Sequence, residues 1–313
     1  MNLSKQELSF HGTGQKLFAL QLVNILLSII TLGIYYPWAK AAYLRYSMSE
    51  TEFAGTRFVF HGTGFEMFKG MIIGLLVIGG AYALCGYLVV AHHPFIGGFL
   101  LFFFMLLIIP YAIHSSMQYR TSRTSWRGIH FGYRGDLKQL MNLSVKGIFL
   151  TILTLGIYGA WYAMELRSYV LGHVRIGSVE MKYKGKGGKY FTMNLLGYFL
   201  TAITFGIYGF WWMKDQFNYY VDNLVLEQNG KEIRLKSNAT GLGFAKMFVI
   251  NISLILFTLG IATPWAVVNL LKFTFANVEF LDELDLDAIQ QTEAEYKNAA
   301  GEDLSGMLDL GIV

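Results

Sequence analysis

Residues 70–119 form a stretch of fifty residues without a single Lys, Arg, Asp or Glu. A core helix of a soluble protein does not need so long an uncharged run. At about 1.5 Å per residue, this stretch can cross a hydrocarbon layer about 30 Å thick twice. The composition agrees, since 54% of the residues are hydrophobic and only 15% are charged, against about 25% charged in ordinary soluble domains. The sequence therefore predicts an integral membrane protein.

Uncharged apolar runs elsewhere raise the predicted number of membrane segments to about six. The runs cover residues 17–39, 70–91, 95–119, 147–164, 190–213 and 247–271. We expect residues 1–280 to form one polytopic, all-α membrane domain. Residues 281–313 are predicted to be a separate acidic tail, because residues 279–313 carry ten acidic side chains and one basic one.

The pattern Thr-x-Gly-Ile-x-x-x-Trp occurs four times. Its glycines and tryptophans are Gly33 and Trp38, Gly156 and Trp161, Gly206 and Trp211, and Gly260 and Trp265. A second pattern, Phe-His-Gly-Thr-Gly, occupies residues 10–14 and again residues 60–64. Such repetition predicts internal repeats of roughly 50 residues, with residues 70–119 holding a diverged or replaced copy.

Each copy of the first pattern predicts a membrane helix that is broken at its glycine. Glycine favours the left-handed conformation just past a helix end, and Pro37 and Pro264 suit the first turn of a following helix. Between the helices, short segments of alternating polar and apolar residues close on glycines, which predicts small β-hairpins. These segments are too polar for lipid, so we expect them outside the bilayer.

The topology of the broken segments stays open at this point. If all six segments span, Lys and Arg are abundant on both faces, and the positive-inside rule gives no orientation. Alternatively, the four broken segments are re-entrant hairpins, all basic loops share the cytoplasmic side, and residues 70–119 alone span. Against this, the apolar limb after each glycine is short, and non-helical backbone at depth has to be buried in protein or line a wet cavity.

Two groups of residues are candidates for a binding site. Broken membrane helices expose backbone polar groups and form substrate sites in transporters, so we predict a pathway at the helix breaks. Its residues would be Gly33, Pro37, Trp38, Gly156, Trp161, Gly206, Trp211, Gly260, Pro264 and Trp265, with Asn24, Asn194 and Asn251 as polar groups in the apolar runs. Successive N–H groups at a helix start can hold phosphate, which predicts an anionic head-group site at Gly62, Gly64, Arg120, Arg123, Arg127, Lys186 and Lys189.

Both groups also have a simpler interpretation. The tryptophans suit an interfacial aromatic belt, and the glycine turns suit plain strand-to-helix connections. No metal-binding, hydrolytic or nucleic-acid motif is present in the sequence, so we expect no cofactor, no metal and no enzymatic activity.

The run of residues 119–132, Tyr-Arg-Thr-Ser-Arg-Thr-Ser-Trp-Arg-Gly-Ile-His-Phe-Gly, resembles the bacterial YjgN family, as do the glycine breaks and the Phe-His-Gly-Thr-Gly turns. That family consists of inner-membrane proteins that share a domain of unknown function. The resemblance covers roughly residues 8–280 and implies a multi-pass protein of the bacterial inner membrane. It brings no catalytic residues.

The sequence favours a transporter or channel-like protein for a lipid-like or small amphiphilic, anionic solute. The alternative is a membrane scaffold that docks a partner through its strands or its acidic tail. We expect membrane lipids as partners and no nucleic acid, and the sequence leaves a protein partner or a homo-oligomer open.

Overall fold

The computed structural model describes residues 6–293, and these residues form ten helices and ten strands. The helices are α1 (Gly14–Ile30), α2 (Tyr36–Glu50), α3 (Gly64–Val90), α4 (Pro94–Ser122), α5 (Leu137–Leu153), α6 (Gly159–Gly172), α7 (Gly187–Ile203), α8 (Gly209–Asp222), α9 (Gly241–Phe257) and α10 (Thr263–Ala276). The strands are β1 (Leu8–Phe10), β2 (Thr51–Phe53), β3 (Thr56–Phe60), β4 (Thr124–Trp126), β5 (Ile129–Tyr133), β6 (Val174–Ile176), β7 (Val179–Tyr183), β8 (Leu224–Gln228), β9 (Lys231–Ser237) and β10 (Val278–Phe280).

The helices form five hairpins, α1–α2 through α9–α10, each inserted between two strands. Every helix packs against its neighbours in chain order, and α10 packs against α1. The helices therefore form a closed circuit. Four hairpins are short, with helices of 14 to 17 residues, whereas α3 and α4 have 27 and 29 residues.

The ten strands form one antiparallel sheet whose spatial order is the chain order, β1 to β10. Glu7, beside β1, forms an isolated antiparallel bridge with Glu279 of β10, which brings the two edges of the sheet together. The result is a nearly closed barrel from one end of which all five helical hairpins extend. At that end the same backbone hydrogen bond recurs in all five units, from the N–H groups of His11, His61, Arg134, Lys184 and Asn238 to the carbonyls of Glu50, Arg123, His173, Asn223 and Asn277.

Inward-facing side chains fill the inside of the sheet. Trp126, Val179 and Ile233 are at most 2% exposed and belong to one core cluster with Phe53 and Leu226. The indole N–H of Trp126 donates to the carbonyl oxygens of Phe53 (3.3 Å) and Thr56 (3.2 Å). Because the lumen is packed with large apolar side chains, the barrel is a core and not a pore.

The segment after β10, residues 281–293, lies at the end of the barrel that carries the turns between paired strands, opposite the helices. We call this segment the strap. Leu284 and Ile289 are buried in the barrel core. The side chain of Gln6 makes two hydrogen bonds to the backbone of Leu284, at 2.6 and 2.9 Å, and Gln228 does the same to Asp285, at 2.7 and 2.9 Å. This part of the predicted acidic tail therefore completes the barrel core, and the predicted domain boundary at residue 280 stays a prediction.

The predicted fold class, a membrane all-α protein with six spans and small hairpins, is wrong. Residues 6–293 are 63% helical and contain a ten-stranded antiparallel sheet, and two of their helices, α3 and α4, are long and apolar enough to cross a membrane. A count of six spans lets the four other apolar runs cross the membrane despite their breaks, but each of them reverses direction at its glycine. The local pattern predicts the hairpins but not their joining into one ten-stranded sheet, because each strand has only three to seven residues and its partner can be more than 60 residues away.

Candidate functional site

The four predicted helix breaks are tight turns that join the two helices of each short hairpin. Gly33 has φ +89°, and Leu32 before it is also left-handed, at +51°. The N–H of Gly33 donates to the carbonyl of Ser28 (2.7 Å), and the hydroxyl of Thr31 accepts the N–H of Tyr35 (3.0 Å). The turns at Gly156, Gly206 and Gly260 repeat this geometry. The motif thus encodes a chain reversal.

The tryptophans of the motif pack against glycines at the start of the next hairpin. A Cβ atom on Gly64 would lie 2.4 Å from the ring of Trp38, and the pairs Trp161–Gly187, Trp211–Gly241 and Trp265–Gly14 repeat the contact. The pair between Trp265 and Gly14 joins the last hairpin to the first. Pro37 and Pro264 occupy the first turns of α2 and α10. These residues hold the circuit of helices together.

The three asparagines of the predicted pathway lie on the first helices of three different hairpins and do not line one common path. Asn24 is buried on α1. Asn194 of α7 accepts a hydrogen bond from the indole N–H of Trp212 (3.2 Å). Asn251 of α9 is 8% exposed, and its side-chain amide donates to the carbonyl of Ala266 in α10.

The residues of the predicted head-group site do not converge either. Gly62 and Gly64 flank the start of α3, where Thr63 and Glu66 form a capping box in which each side chain accepts the backbone N–H of the other residue. Arg123 is 2% exposed and forms an ion pair with Glu66 (3.4 Å). Arg120 is near the end of α4.

The other basic residues of this predicted site also have structural partners. Arg127 lies at the β4–β5 turn, at the opposite end of the barrel, and contacts Asp287 of the strap (3.4 Å). Lys186 is the N-cap of α7. Its backbone N–H donates to the hydroxyl of Tyr219 (2.6 Å), and the same hydroxyl donates to the backbone carbonyl of Lys186 (2.9 Å). Lys189 lies over the ring of Tyr219, 5.6 Å from its centre. The glycine turns are strand-to-helix connections, with a capping box at α3 and no side-chain cap at α7.

A groove between α9 and α10 has the features of a binding site. Its volume is about 370 Å³, and its lining residues are Gly243, Lys246, Met247, Ile250, Asn251, Asn269, Lys272 and Phe273. The amide of Asn251 donates to the carbonyl of Ala266 (3.1 Å), and Asn269 donates to the side-chain oxygen of Asn251 (3.2 Å). The groove thus has an amide pair in its wall, apolar side chains around it and two lysines.

The two lysines lie where α9 and α10 meet the sheet. Lys246 is in the second turn of α9, and Lys272 is in the last two turns of α10. A cavity of about 1300 Å³ at the seam between β10 and β1 also has Lys272 in its lining. The two spaces therefore share one basic residue. Among residues 6–293, no group of three or more His, Cys, Asp or Glu side chains could hold a metal ion.

The sequence pointed to Asn251 but missed Lys246, Asn269 and Lys272. A signal existed, because Asn251 and Asn269 occupy the two limbs of one broken segment at matching distances of nine residues from Gly260. In a hairpin that turns at Gly260, these two positions have to face each other.

His61 gives the structure a predicted pH dependence. Burial, together with the nearby positive charges of His130 and Arg123, lowers the pKa of His61, whose ring nitrogen is 2.8 Å from the hydroxyl of Ser125. The unfolded chain therefore takes up this proton first, and the contribution of His61 to stability is complete above about pH 6.5 and lost as the pH falls. We expect acidification from pH 7.5 to 5.5 to lower the melting temperature less in His61→Gln than in the natural chain.

Thermal unfolding in detergent measures this difference. His92, which is exposed at the α3–α4 turn, provides the control, and His92→Gln should keep the natural pH dependence. Equal pH dependence in His61→Gln and the natural chain would contradict the assignment.

Comparison with known proteins gives one family. The family described as bacterial protein of unknown function, DUF898, matches residues 5–184 and 212–307. The chain is 34% identical over 132 residues to the inner membrane protein YjgN of Salmonella typhimurium, which is 42% of this chain and 32% of the relative. It is 33% identical over 148 residues to YjgN of Escherichia coli O157:H7, which is 47% of this chain and 34% of the relative.

YjgN of Escherichia coli K12 is similar at 32% identity over 138 residues, 44% of this chain and 33% of the relative. The matched segments thus span about a third of the length of these curated relatives. No solved structure matches the chain.

Proposed function

The chain belongs to the DUF898 family of bacterial proteins of unknown function, and we propose that its α9–α10 groove binds an anionic amphiphile. The chain would move this amphiphile along the membrane without enzymatic chemistry. The expected resemblance to the YjgN family is confirmed. The chain is an integral membrane protein of the inner membrane, as its relatives are. The transport role and the repeat origin of the five units are proposals.

The arrangement of charge and apolar surface in the groove carries this proposal. Lys246 and Lys272 lie near the sheet end of their helices, where the polar surface of the protein begins. Each Lys near a membrane surface contributes roughly 1 kcal/mol of attraction to an anionic lipid. Asn251 and Asn269 lie further from the sheet, where the partly buried Asn269 adds a polar side chain, and the exposed Ile250 offers apolar contact. An anionic head group with an acyl chain matches this order.

The packed barrel core determines the route that we propose. Because Trp126, Val179 and Ile233 fill the lumen, we do not propose a channel through the sheet. The amphiphile would instead move laterally, from lipid into the groove and toward the cavity at the β10–β1 seam, with Lys272 common to both. The breaks at Gly33, Gly156, Gly206 and Gly260 would shape the hairpins and would not touch the ligand.

Lipid binding to the purified chain tests this proposal. Native mass spectrometry in detergent can compare phosphatidylglycerol, which is anionic, with phosphatidylcholine. Removing both charges in Lys246→Gln/Lys272→Gln should weaken phosphatidylglycerol binding about 30-fold, as expected for about 1 kcal/mol per lysine. Binding of phosphatidylcholine should change little.

A matched control removes the same charge elsewhere. Lys138, at the start of α5, and Lys236, on β9, are exposed and line neither space, and Lys138→Gln/Lys236→Gln should bind phosphatidylglycerol as the natural chain does. Equal losses of phosphatidylglycerol binding in both double variants would show that net charge, and not the groove, causes the loss. Unchanged binding in the groove variant would contradict the proposal.

A further inference from the structure

We propose that, within residues 6–293, the chain crosses the membrane only along α3 and α4, and that its four short hairpins enter only the cytoplasmic leaflet. The surface concerned is the apolar outer half of α1–α2, α5–α6, α7–α8 and α9–α10. Its partner is a single leaflet of phospholipid, whose acyl chains the hairpin tips contact near the bilayer midplane. This inference does not depend on the proposed ligand.

The lengths of the uncharged limbs match this arrangement. The uncharged part of α3, residues 70–90, is about 31 Å long, and that of α4, residues 94–119, is about 39 Å, enough for a hydrocarbon core of about 30 Å. In the short hairpins the charged residue nearest to the turn glycine is only 7 to 12 residues away, which corresponds to about 10–18 Å. These residues are Lys40, Glu165, Lys214 and Lys272. The short hairpins thus have apolar ends of about half the core thickness.

The turn backbone meets the requirement that lipid imposes, because the turn satisfies its own N–H groups. In the first hairpin, Leu32, Gly33, Ile34 and Tyr36 donate to carbonyls of the same turn or of the preceding helix, and Tyr35 donates to the hydroxyl of Thr31. The five corresponding N–H groups in each of the other three short hairpins are bonded in the same way. Backbone at depth that satisfies its own donors avoids a cost of several kcal/mol per group. The backbone N–H groups of these turns therefore do not oppose a position in the hydrocarbon layer.

The side chains at the tips suit hydrocarbon and not water. Leu32, Leu155, Phe205 and Leu259 are each at least 94% exposed. Four large apolar residues fully exposed at four separate tips would be costly in water, and they are favourable among acyl chains. At the turn of the long hairpin, by contrast, the exposed residues include His92 and His93, which suit water on the far side of the membrane.

Charge determines the orientation. With only α3 and α4 crossing, the barrel, the strap and all described Lys and Arg side chains lie on the sheet side or along the helices toward it, and the α3–α4 turn around His92 and His93 has none. Lys and Arg accumulate on the cytoplasmic side of inner-membrane proteins. The sheet side is therefore cytoplasmic, which resolves the ambiguity that six spans created.

Labelling of single cysteines tests this topology in the full chain. In a Cys85→Ala background, His93→Cys, Lys231→Cys and Phe205→Cys place one thiol at the far turn, at the barrel and at a short tip. A membrane-impermeant maleimide should modify His93→Cys in spheroplasts only and Lys231→Cys in inverted vesicles only. It should modify Phe205→Cys in neither. A permeant fluorophore attached to the thiol of the Phe205→Cys variant in proteoliposomes should be quenched by lipids brominated near the acyl-chain end.

Each contrary result overturns the inference. Modification of Phe205→Cys in spheroplasts would mean that α7 crosses the membrane, and modification in inverted vesicles would mean that the tip lies in cytoplasmic water. Protection from the maleimide without quenching by brominated lipid would mean that protein, such as a second copy of this chain, covers the tip. Leu259→Cys repeats the test at an independent tip.

Discussion

Shortening one buried side chain of the strap, in Leu284→Ala, should lower the free energy of unfolding by about 2–5 kcal/mol, the usual cost of removing a leucine from a packed core. Leu284 is 5% exposed and contacts the same cluster as Trp126 and Ile233. Its backbone is held by the side chain of Gln6. The strap therefore stabilises the barrel and is not a free tail.

The neighbouring Leu281 provides the control for this experiment, because it has the same side chain in the same segment but is 49% exposed. Leu281→Ala should change the free energy of unfolding by no more than about 0.5 kcal/mol, as surface substitutions usually do. Chemical denaturation in detergent, followed by tryptophan fluorescence, measures both variants. Equal and small effects would show that the strap contributes nothing to the barrel core.

The second large effect is expected at the start of α7. In Gly187→Ala, the new Cβ atom would lie 2.6 Å from the ring of Trp161 and 2.7 Å from its Cα atom. Because a backbone atom cannot give way cheaply, the contact between the third and fourth hairpins has to open. We expect a loss of about 1–3 kcal/mol in the free energy of unfolding, the typical cost of overpacking.

The adjacent glycine is a stringent control. A Cβ atom on Gly188 would come no closer than 4.0 Å to Trp161, so Gly188→Ala should be neutral or stabilising, since alanine favours the helix by up to about 1 kcal/mol. The same denaturation assay compares the two variants. If both were equally stable, the tryptophan of the motif would not pack as described and would be left with a role in the interfacial belt.

The local elements of the structure could largely be predicted. The predicted segments 70–91 and 95–119 fall on the long apolar helices α3 and α4, and the breaks at Gly33 and its three counterparts are present. These features depend on hydrophobicity and on left-handed backbone conformations, both of which are local properties. Between β8 and β9, Asn229 and Gly230 both have positive φ, the backbone conformation that an Asn-Gly pair favours in a two-residue hairpin turn.

The binding groove could be predicted only in part, because its residues come from two helices. Asn251 was a candidate as a polar residue in an apolar run. Lys272 carried no such signal, because its place beside Lys246 depends on the chain reversal at Gly260. Conversely, Arg123 was a candidate for a head-group site because it lies in a basic run. The fold instead buries it against Glu66, 57 residues away in the chain.

The sequence by itself determined that the chain enters lipid, where its helices reverse and which glycines permit those reversals. The tertiary structure decided that strands as short as Thr124–Trp126 join into one sheet, that Trp265 closes the circuit on Gly14, and that residues 281–293 complete a core. The physical reason is the range of the interactions. Hydrophobicity and turn geometry act within a few residues, whereas a strand pair or a packed ring requires partners that only the folded chain brings together.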